Sequence, residues 1–274
     1  GAGTPGFSRR RFVQMSSLAA LGAATGGGRY LVDSNALEVS HTSLELAGEG
    51  PSLVIALVAD LHAPQPGFDF AAMADEANAC RPDLVAIVGD AINERGREGL
   101  VEEYGSLQAG SGKYAVVGNW ENWGRVDRRR LADHYARAGC GLLDNAVTDL
   151  PELGLRVVGL DESTNGWPEA SLVPCTDAGA LTLVLHHSPA AFDRLPFSEP
   201  GPALMLAGHT HGGQLAPFGR AIVLPPGSGG YARGAYARAD RRLYVTRGLG
   251  NSHIPLRLGS RPELAILHIR RVGV

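Results

Sequence analysis

Five short apolar runs, each followed by Asp, His or Asn, constrain the fold of this chain more than any other feature. The runs cover residues 53–59, 84–88, 114–117, 181–185 and 203–207. Apolar runs of this length are typical of strands that are buried on both faces of a sheet. Helical patterns over residues 68–80, 98–108 and 127–138 separate several of the runs. Strands that alternate with helices predict parallel pairing and an α/β fold.

The polar residues that follow the runs are expected to lie together. The runs end in Asp60-Leu-His62, Gly89-Asp90, Gly118-Asn119, His186-His187 and Gly208-His-Thr-His211. Ligands of open α/β sheets bind outside the carboxyl ends of the strands, so these side chains would meet in one cleft. One such ending is weak evidence for a site, whereas five together favour it.

The chemistry of these side chains predicts a metal site. Carboxylate, imidazole and amide groups without a thiolate suit Mn, Fe or Zn. The candidates outnumber the four ligands of a single zinc ion, and two metals that share a carboxylate would use them all. Cys80, Cys140 and Cys175 are widely spaced and contain no CxxC pair, which argues against a disulfide framework or a cysteine-bound zinc.

Composition limits the classes of partner. With 44% hydrophobic and 19% charged residues, the chain of 274 residues can bury a substantial core. A net charge of −3 gives no reason to expect nucleic acid as a partner. Residues 231–271, however, contain nine arginines against only Asp240 and Glu263. These arginines form either a solvated surface or the lining of a site for an anionic substrate, for which Arg247 and Arg257 are the candidates.

The first residues favour export. Ser8-Arg-Arg-Arg-Phe-Val-Gln14 precedes a weakly apolar stretch that is too short to span a bilayer. This layout resembles a twin-arginine signal, which directs folded proteins for export; the alternative is an accidental basic run or a tag remnant. We therefore expect residues 1–36 to be signal and linker and residues 37–274 to be the catalytic domain. The expected location is the periplasm or cell envelope, reached through the twin-arginine translocase, and otherwise the cytoplasm.

The order of the motifs resembles that of the calcineurin-like metallophosphoesterase superfamily. The family motifs run D-x-H, G-D, G-N-H-[D/E], H and G-H-x-H, and the resemblance covers roughly residues 50–270. The segments 208–214, 187–189 and 248–263 are also similar to a bacterial, twin-arginine-exported branch related to UDP-2,3-diacylglucosamine pyrophosphatase. The resemblance implies two packed β-sheets flanked by helices, with strands near 243–246 and 264–269 in the second sheet.

The resemblance also implies a ligand set for two divalent metals. The first would be held by Asp60, His62, Asp90 and His211, and the second by Asp90, Asn119, His187 and His209. His187 is preferred to His186 because it precedes Ser188-Pro189, as in the family's H-x-P. Asp161, which follows another apolar run, either supports the site or ends a strand at the surface.

The activity implied is phosphoester or pyrophosphate hydrolysis by a hydroxide held between the two metals. Asp90, Asn119 and His187 would then be catalytic as well as metal-binding. The expected substrate is a small-molecule or lipid-linked phosphoester, with peripheral contact to a membrane as a further expectation.

One position departs from the family pattern. The third motif reads Gly118-Asn-Trp-Glu121, so Trp120 stands where the family has a histidine beside the leaving group. Indole can donate a hydrogen bond but cannot give up its proton near neutral pH. Trp120 and His186 are expected to contact the substrate, with Glu121 or His186 as the replacement acid.

The competing hypothesis is a catalytically weakened module that binds metal or phosphate. A different dinuclear hydrolase, such as an amidohydrolase, is disfavoured by Asn119 as a ligand and by the absence of an H-x-H opening motif.

Overall fold

A computed structural model describes residues 36–94, 96–174, 180–197, 202–252 and 254–273. The predicted export signal, apart from residue 36, and Cys175 lie outside these ranges. Within them, no helix is long and apolar enough to cross a membrane.

Twelve strands and three α-helices make up the regular structure of the described ranges. The strands are β1 (Glu38–Ala47), β2 (Leu53–Val58), β3 (Leu84–Val88), β4 (Gly112–Val116), β5 (Cys140–Leu142), β6 (Ala146–Leu150), β7 (Leu155–Gly159), β8 (Leu181–Leu185), β9 (Ala203–Ala207), β10 (Gly234–Arg238), β11 (Arg241–Val245) and β12 (Glu263–Val272). The helices are α1 (Phe70–Ala79), α2 (Asn119–Trp123) and α3 (Arg128–Arg137). The segment Glu98–Ser106, predicted to be helical, is a 3₁₀ helix.

The strands form two six-stranded sheets that pack against each other, which confirms the predicted fold class. The first has the order β1-β12-β2-β3-β4-β5, and the second has the order β10-β11-β9-β8-β7-β6. Strands β2 to β5 are parallel, as are β7, β8, β9 and β11. The parallel strands therefore carry their carboxyl ends to one edge of each sheet.

Burial on both faces explains why the strand sequences are continuously apolar. In β2, Ile55 and Leu57 belong to the core between the sheets, together with Leu204 and Leu206 of β9. The alternate residues of β2, Ala56 and Val58, belong to the core that includes residues of α1 on the outer face. Because side chains alternate across a strand, neither face of β2 is left for water.

The last strand corrects one expectation. Strand β11 lies in the second sheet, as predicted, but β12 lies in the first. It inserts between β1 and β2, parallel to β1 and antiparallel to β2. The physical reason is that β3 pairs with only one edge of β2, and β12 pairs with the backbone groups of the other edge.

Glu263, at the start of β12, joins the two sheets through a buried carboxylate. It accepts hydrogen bonds from Ser40 of β1 in the first sheet and from Tyr244 of β11 in the second, at 2.6 and 3.1 Å. Burial raises the pKa of this carboxyl, but Arg247 and the hydrogen bonds outweigh burial and hold the pKa below its usual value. The two sheets therefore meet at an ionised, fully paired group near the strand ends.

Candidate metal centre

Five of the seven predicted metal ligands have backbone conformations that are rare for residues other than glycine. The φ angles are +52° at Asp60, +51° at His62, +51° at Asp90, +72° at His209 and +50° at His211. Each such residue costs roughly 1–3 kcal/mol and persists only where its surroundings hold it, typically at functional sites. The concentration of strain in these loops marks them as the functional edge of the fold.

The first ligand cluster consists of Asp60, His62 and His211. The Nε2 atoms of His62 and His211 lie only 3.1 Å apart, and Nε2 of His211 lies 3.5 Å from Oδ1 of Asp60. The three residues offer ligand atoms that lie within 4.8 Å of one another. Two imidazole nitrogens directed at each other beside a carboxylate are arranged as metal ligands are.

The second cluster consists of Asp60, Asp90 and His187, which meet the same distance limit of 4.8 Å. Nε2 of His187 lies 3.2 Å from Oδ2 of Asp90 and 3.9 Å from Oδ1 of Asp60. The same Oδ2 of Asp90 lies 3.8 Å from Nε2 of His62. Asp60 therefore belongs to both clusters, and Asp90, a member of the second cluster, also lies near His62 of the first.

Asn119 and His209 complete the set beside the second cluster. Nδ1 of His209 lies 2.8 Å from Oδ1 of Asn119, and the rings of His209 and His187 lie 5.0 Å apart. The backbone N–H of His209 donates to Asp60 at 3.0 Å. All seven predicted ligands thus lie together, and none is more than 7% exposed.

The electrostatics of the site favour a cation. Burial raises the pKa of the Asp60 carboxyl to about 7, against the opposing effect of His187. Burial also lowers the pKa of His187, but Asp90, Asp60 and Glu162 outweigh it and raise that pKa to about 10. Buried carboxylates need a compensating positive charge. The oxygen and nitrogen donors fit divalent Mn, Fe or Zn.

Two glycines allow the backbone to lie against the aspartates. A Cβ atom built on Gly118 would lie 2.2 Å from Oδ1 of Asp90, and one built on Gly208 would lie 2.5 Å from Oδ2 of Asp60. Both distances are far below van der Waals contact, so a side chain at either position would displace a carboxylate. Glycine is therefore required where these loops cross.

The position of Glu121 corrects its predicted role as an acid. Its Oε2 accepts from the backbone N–H groups of Asp90 and Gly118, at 3.0 and 2.8 Å, and its Oε1 accepts from that of Ile92, at 3.2 Å. The side chain is 2% exposed. Both oxygens are thus occupied in holding the loops that carry Asp90 and Asn119, and Glu121 is a positioning residue. The sequence signal was available, because a glutamate at the third position of a helix commonly accepts from the N-cap.

The two candidate arginines are also engaged within the protein. Arg257 is fully buried, and its guanidinium donates to the carbonyl groups of Arg247, Gly248, Gly250 and Ser260. Its Nη2 lies 3.0 Å from Nδ1 of His211, so Arg257 supports a metal ligand from behind. Arg247 pairs with Glu38 and Glu263, each at 3.2 Å. These pairings argue against the expectation that the two arginines bind substrate.

His186 precedes His187 in the chain but has different hydrogen-bond partners. It is fully buried, and its Nδ1 lies 3.0 Å from the carbonyl oxygen of Ser188. Burial lowers the pKa of His186 to about 4, against the opposing effect of Glu162. Because the imidazole is enclosed and held beside Ser188, its placement argues against the expectation that His186 contacts substrate or replaces the missing acid.

Sequence reasoning missed Glu162, which is fully buried next to the site. Its carboxylate accepts from the hydroxyl groups of Ser188 and Thr164, and it raises the pKa of His187.

The neighbouring residue, Asp161, accepts from Arg128 at 2.9 Å and from the backbone of Trp167 at 2.8 Å. Asp161 therefore ties the loop after β7 to the start of α3. The signal was a sixth apolar run, 155–160, that also ends in acidic residues.

Trp120 lies where its sequence position suggested. Its indole ring packs edge-on against His62, with ring centroids 5.2 Å apart, and its backbone N–H donates to Oδ1 of Asp90 at 2.8 Å. The residue is partly exposed. Trp120 thus contacts both ligand clusters, one through its ring and the other through its backbone.

The family comparison agrees with this geometry. The family model described as the calcineurin-like phosphoesterase superfamily domain matches residues 53–243, which include all seven clustered ligands. The chain therefore belongs to the calcineurin-like phosphoesterase superfamily. It is a metal-dependent phosphoester hydrolase that binds divalent metal.

Two bacterial relatives are similar to this chain along nearly their whole length. The uncharacterized metallophosphoesterase YkuE of Bacillus subtilis strain 168 is 27% identical over 288 residues, covering 96% of this chain and 98% of the relative. The phosphodiesterase YaeI of Escherichia coli K12 is 27% identical over 274 residues, covering 96% and 99%. A crystal structure of a metallophosphoesterase from Sphaerobacter thermophilus covers 73% of this chain at 17% identity, with a TM-score of 0.34. A score this low supports no conclusion about this chain.

Replacing Asp90 by asparagine tests the metal centre. The change keeps the size of the side chain but removes the charge between the clusters, so we expect affinity for Mn²⁺ to fall by about 100-fold or more and hydrolysis to be lost. Calorimetric titration with Mn²⁺ measures the first effect, and Asp144→Asn, at an exposed aspartate, is the matched control. Native metal affinity and full activity in the Asp90 variant would contradict the assignment.

Proposed function

We propose that this hydrolase uses two divalent metals and acts on phosphodiesters or pyrophosphate linkages. The observation that carries the proposal is the position of Asp90 Oδ2, which lies 3.8 Å from His62 and 3.2 Å from His187, between the two ligand clusters. When bound, two such cations lower the pKa of water, orient a phosphoryl group and stabilise the charge of the transition state. Asp60, His62, Asp90 and His211 would hold one cation, and Asp90, Asn119, His187 and His209 the other.

The charge balance of the proposed centre suits a phosphoester. Two divalent cations carry four positive charges, and the carboxylates of Asp60 and Asp90 offset two of them. The remaining positive charge attracts a phosphate oxyanion. Arg247 and Arg257 do not take part, since their guanidinium groups are paired with protein carboxylates and carbonyls.

The substrate preference follows from Trp120 and from the placement of its neighbours. A positioned general acid contributes roughly 10²–10⁴-fold to a rate. Glu121 holds backbone N–H groups and His186 is enclosed and neutral, so neither replaces the missing histidine. Substrates whose leaving groups need no proton would lose little of their rate of hydrolysis when a general acid is absent. A preference for pyrophosphate-linked or activated diesters over alkyl monoesters follows, and one full-length relative is a phosphodiesterase by name.

The competing proposal is a module that binds metal or phosphate with weakened catalysis. Trp120 is the observation in its favour. It is the weaker proposal, because all seven predicted ligands are present and buried in the site. Hydrolysis of bis-p-nitrophenyl phosphate in the presence of Mn²⁺ separates the two.

The dependence of kcat/KM on leaving-group pKa tests the substrate preference. In a series of diesters, we expect a steep decline for poor leaving groups in the native protein, because no acid protonates them. Trp120→His restores an imidazole and is expected to flatten the dependence by raising the slowest rates. A shallow dependence in the native protein, unchanged by the substitution, would show that another residue supplies the proton.

We also propose that the protein is exported through the twin-arginine translocase and acts on an envelope or lipid-linked phosphoester, in peripheral contact with a membrane. The support is the segment 8–14, which contains Arg9 and Arg10. A route for folded proteins permits metal loading before transport. Replacing both arginines by lysine is expected to retain the protein in the cytoplasm, as measured by cell fractionation. Unchanged distribution between the fractions would refute export by this route.

A further inference from the structure

We propose that Trp120 and Trp123 form an aromatic platform that binds a planar aromatic group on the phosphoester substrate. The inference rests on the proposed phosphoesterase function and adds a substrate class to it. The rings of His62 and Trp120 lie 5.2 Å apart, and those of Trp120 and Trp123 lie 5.7 Å apart. Both pairs are edge-to-face, at 73° and 61°, which is a favoured arrangement of aromatic rings.

The three rings lead from the buried centre to the surface. His62 is 1% exposed, Trp120 is partly exposed and Trp123 is 57% exposed. Trp120 and Trp123 are three residues apart on α2, so they lie on the same side of the helix. A substrate whose phosphoryl group lies beside Asp60 and Asp90 would therefore place its organic group near these indoles.

The outer ring is held in place, unlike an ordinary exposed tryptophan. With its amide oxygen turned toward the indole, Asn165 accepts a hydrogen bond from Nε1 of Trp123 at 2.7 Å. The amide nitrogen of Asn165 then donates to Oε2 of Glu162 at 3.2 Å. Glu162 is the buried carboxylate beside His187 and Ser188. The platform therefore contacts the metal centre at His62, through Trp120, and near His187, through Asn165 and Glu162.

The helix that carries the platform is equally constrained. Glu121 accepts from the backbone at the start of α2, the backbone of Trp120 donates to Asp90, and Asn122 donates to Asp161 at 3.4 Å. A platform that is already fixed loses little conformational freedom on binding, which favours affinity for a flat partner. An exposed tryptophan is common by itself. The ring contacts and the hydrogen bond to Asn165 distinguish this one.

The test compares Trp123→Leu with Trp123→Phe, two apolar variants that both lack the indole N–H and differ in aromaticity. Binding of phenylphosphonate and of methylphosphonate to the Mn²⁺-loaded protein is measured by calorimetry. We expect Trp123→Leu to lower the affinity for phenylphosphonate by about two- to ten-fold, the range typical of aromatic pairs. The affinity for methylphosphonate is expected to stay unchanged. Trp123→Phe is expected to stay within about two-fold of the native protein.

Trp167→Leu is the control for an exposed tryptophan, since that side chain is 87% exposed on a neighbouring loop and its backbone is held by Asp161. It is expected to bind both phosphonates as the native protein does. The proposal is overturned if native protein shows no preference for phenylphosphonate, if Leu and Phe at position 123 weaken it equally, or if methylphosphonate is weakened to the same extent. Aromatic-dependent binding by a native protein that hydrolyses no phosphoester would instead overturn the proposed function and leave the platform standing.

Discussion

Two carboxylates buried at the ends of neighbouring parallel strands are the constraint on which the site depends. Asp60 follows β2 and Asp90 follows β3, and the exposed fractions of these residues are 0% and 2%. Charges so enclosed must be compensated. The compensation here comes from backbone N–H groups, from histidines, and from the cations that the family binds. The strained loops and the glycines where they cross place backbone N–H groups and histidine side chains around these two carboxylates.

Most of the polar residues near the centre hold the ligands and do not react. Glu121 fixes the loops that carry Asp90 and Asn119, Arg257 lies behind His211, and Glu162 lies beside His187. Such supporting contacts orient the ligands, and their loss typically lowers metal affinity or activity by about 10- to 100-fold. Trp120, by contrast, is partly exposed, and its ring packs against the ligand His62. The chemistry proposed above follows from this division.

The apolar runs predicted the parallel strands and the clustering of the polar residues that follow them, because each motif follows its own run. The set of seven ligands came from the family resemblance. The sequence could not predict the sheet of β12, since the edge to which a strand pairs depends on contacts far away along the chain. The hydrogen bonds that engage Glu121, His186, Arg247 and Arg257 could not be predicted for a similar reason. Residue type indicates what a side chain can do, whereas its hydrogen-bond partners decide whether it is free to do it.

The number of metals that the centre holds is decided by measuring the metal content of the native protein. After saturation with Mn²⁺ and removal of unbound ions, elemental analysis is expected to give two Mn per chain. Electron paramagnetic resonance is expected to show that the two ions are magnetically coupled, because ions in two-metal sites lie only about 3.5–4 Å apart. One Mn per chain at saturation, or two ions without coupling, would contradict the account.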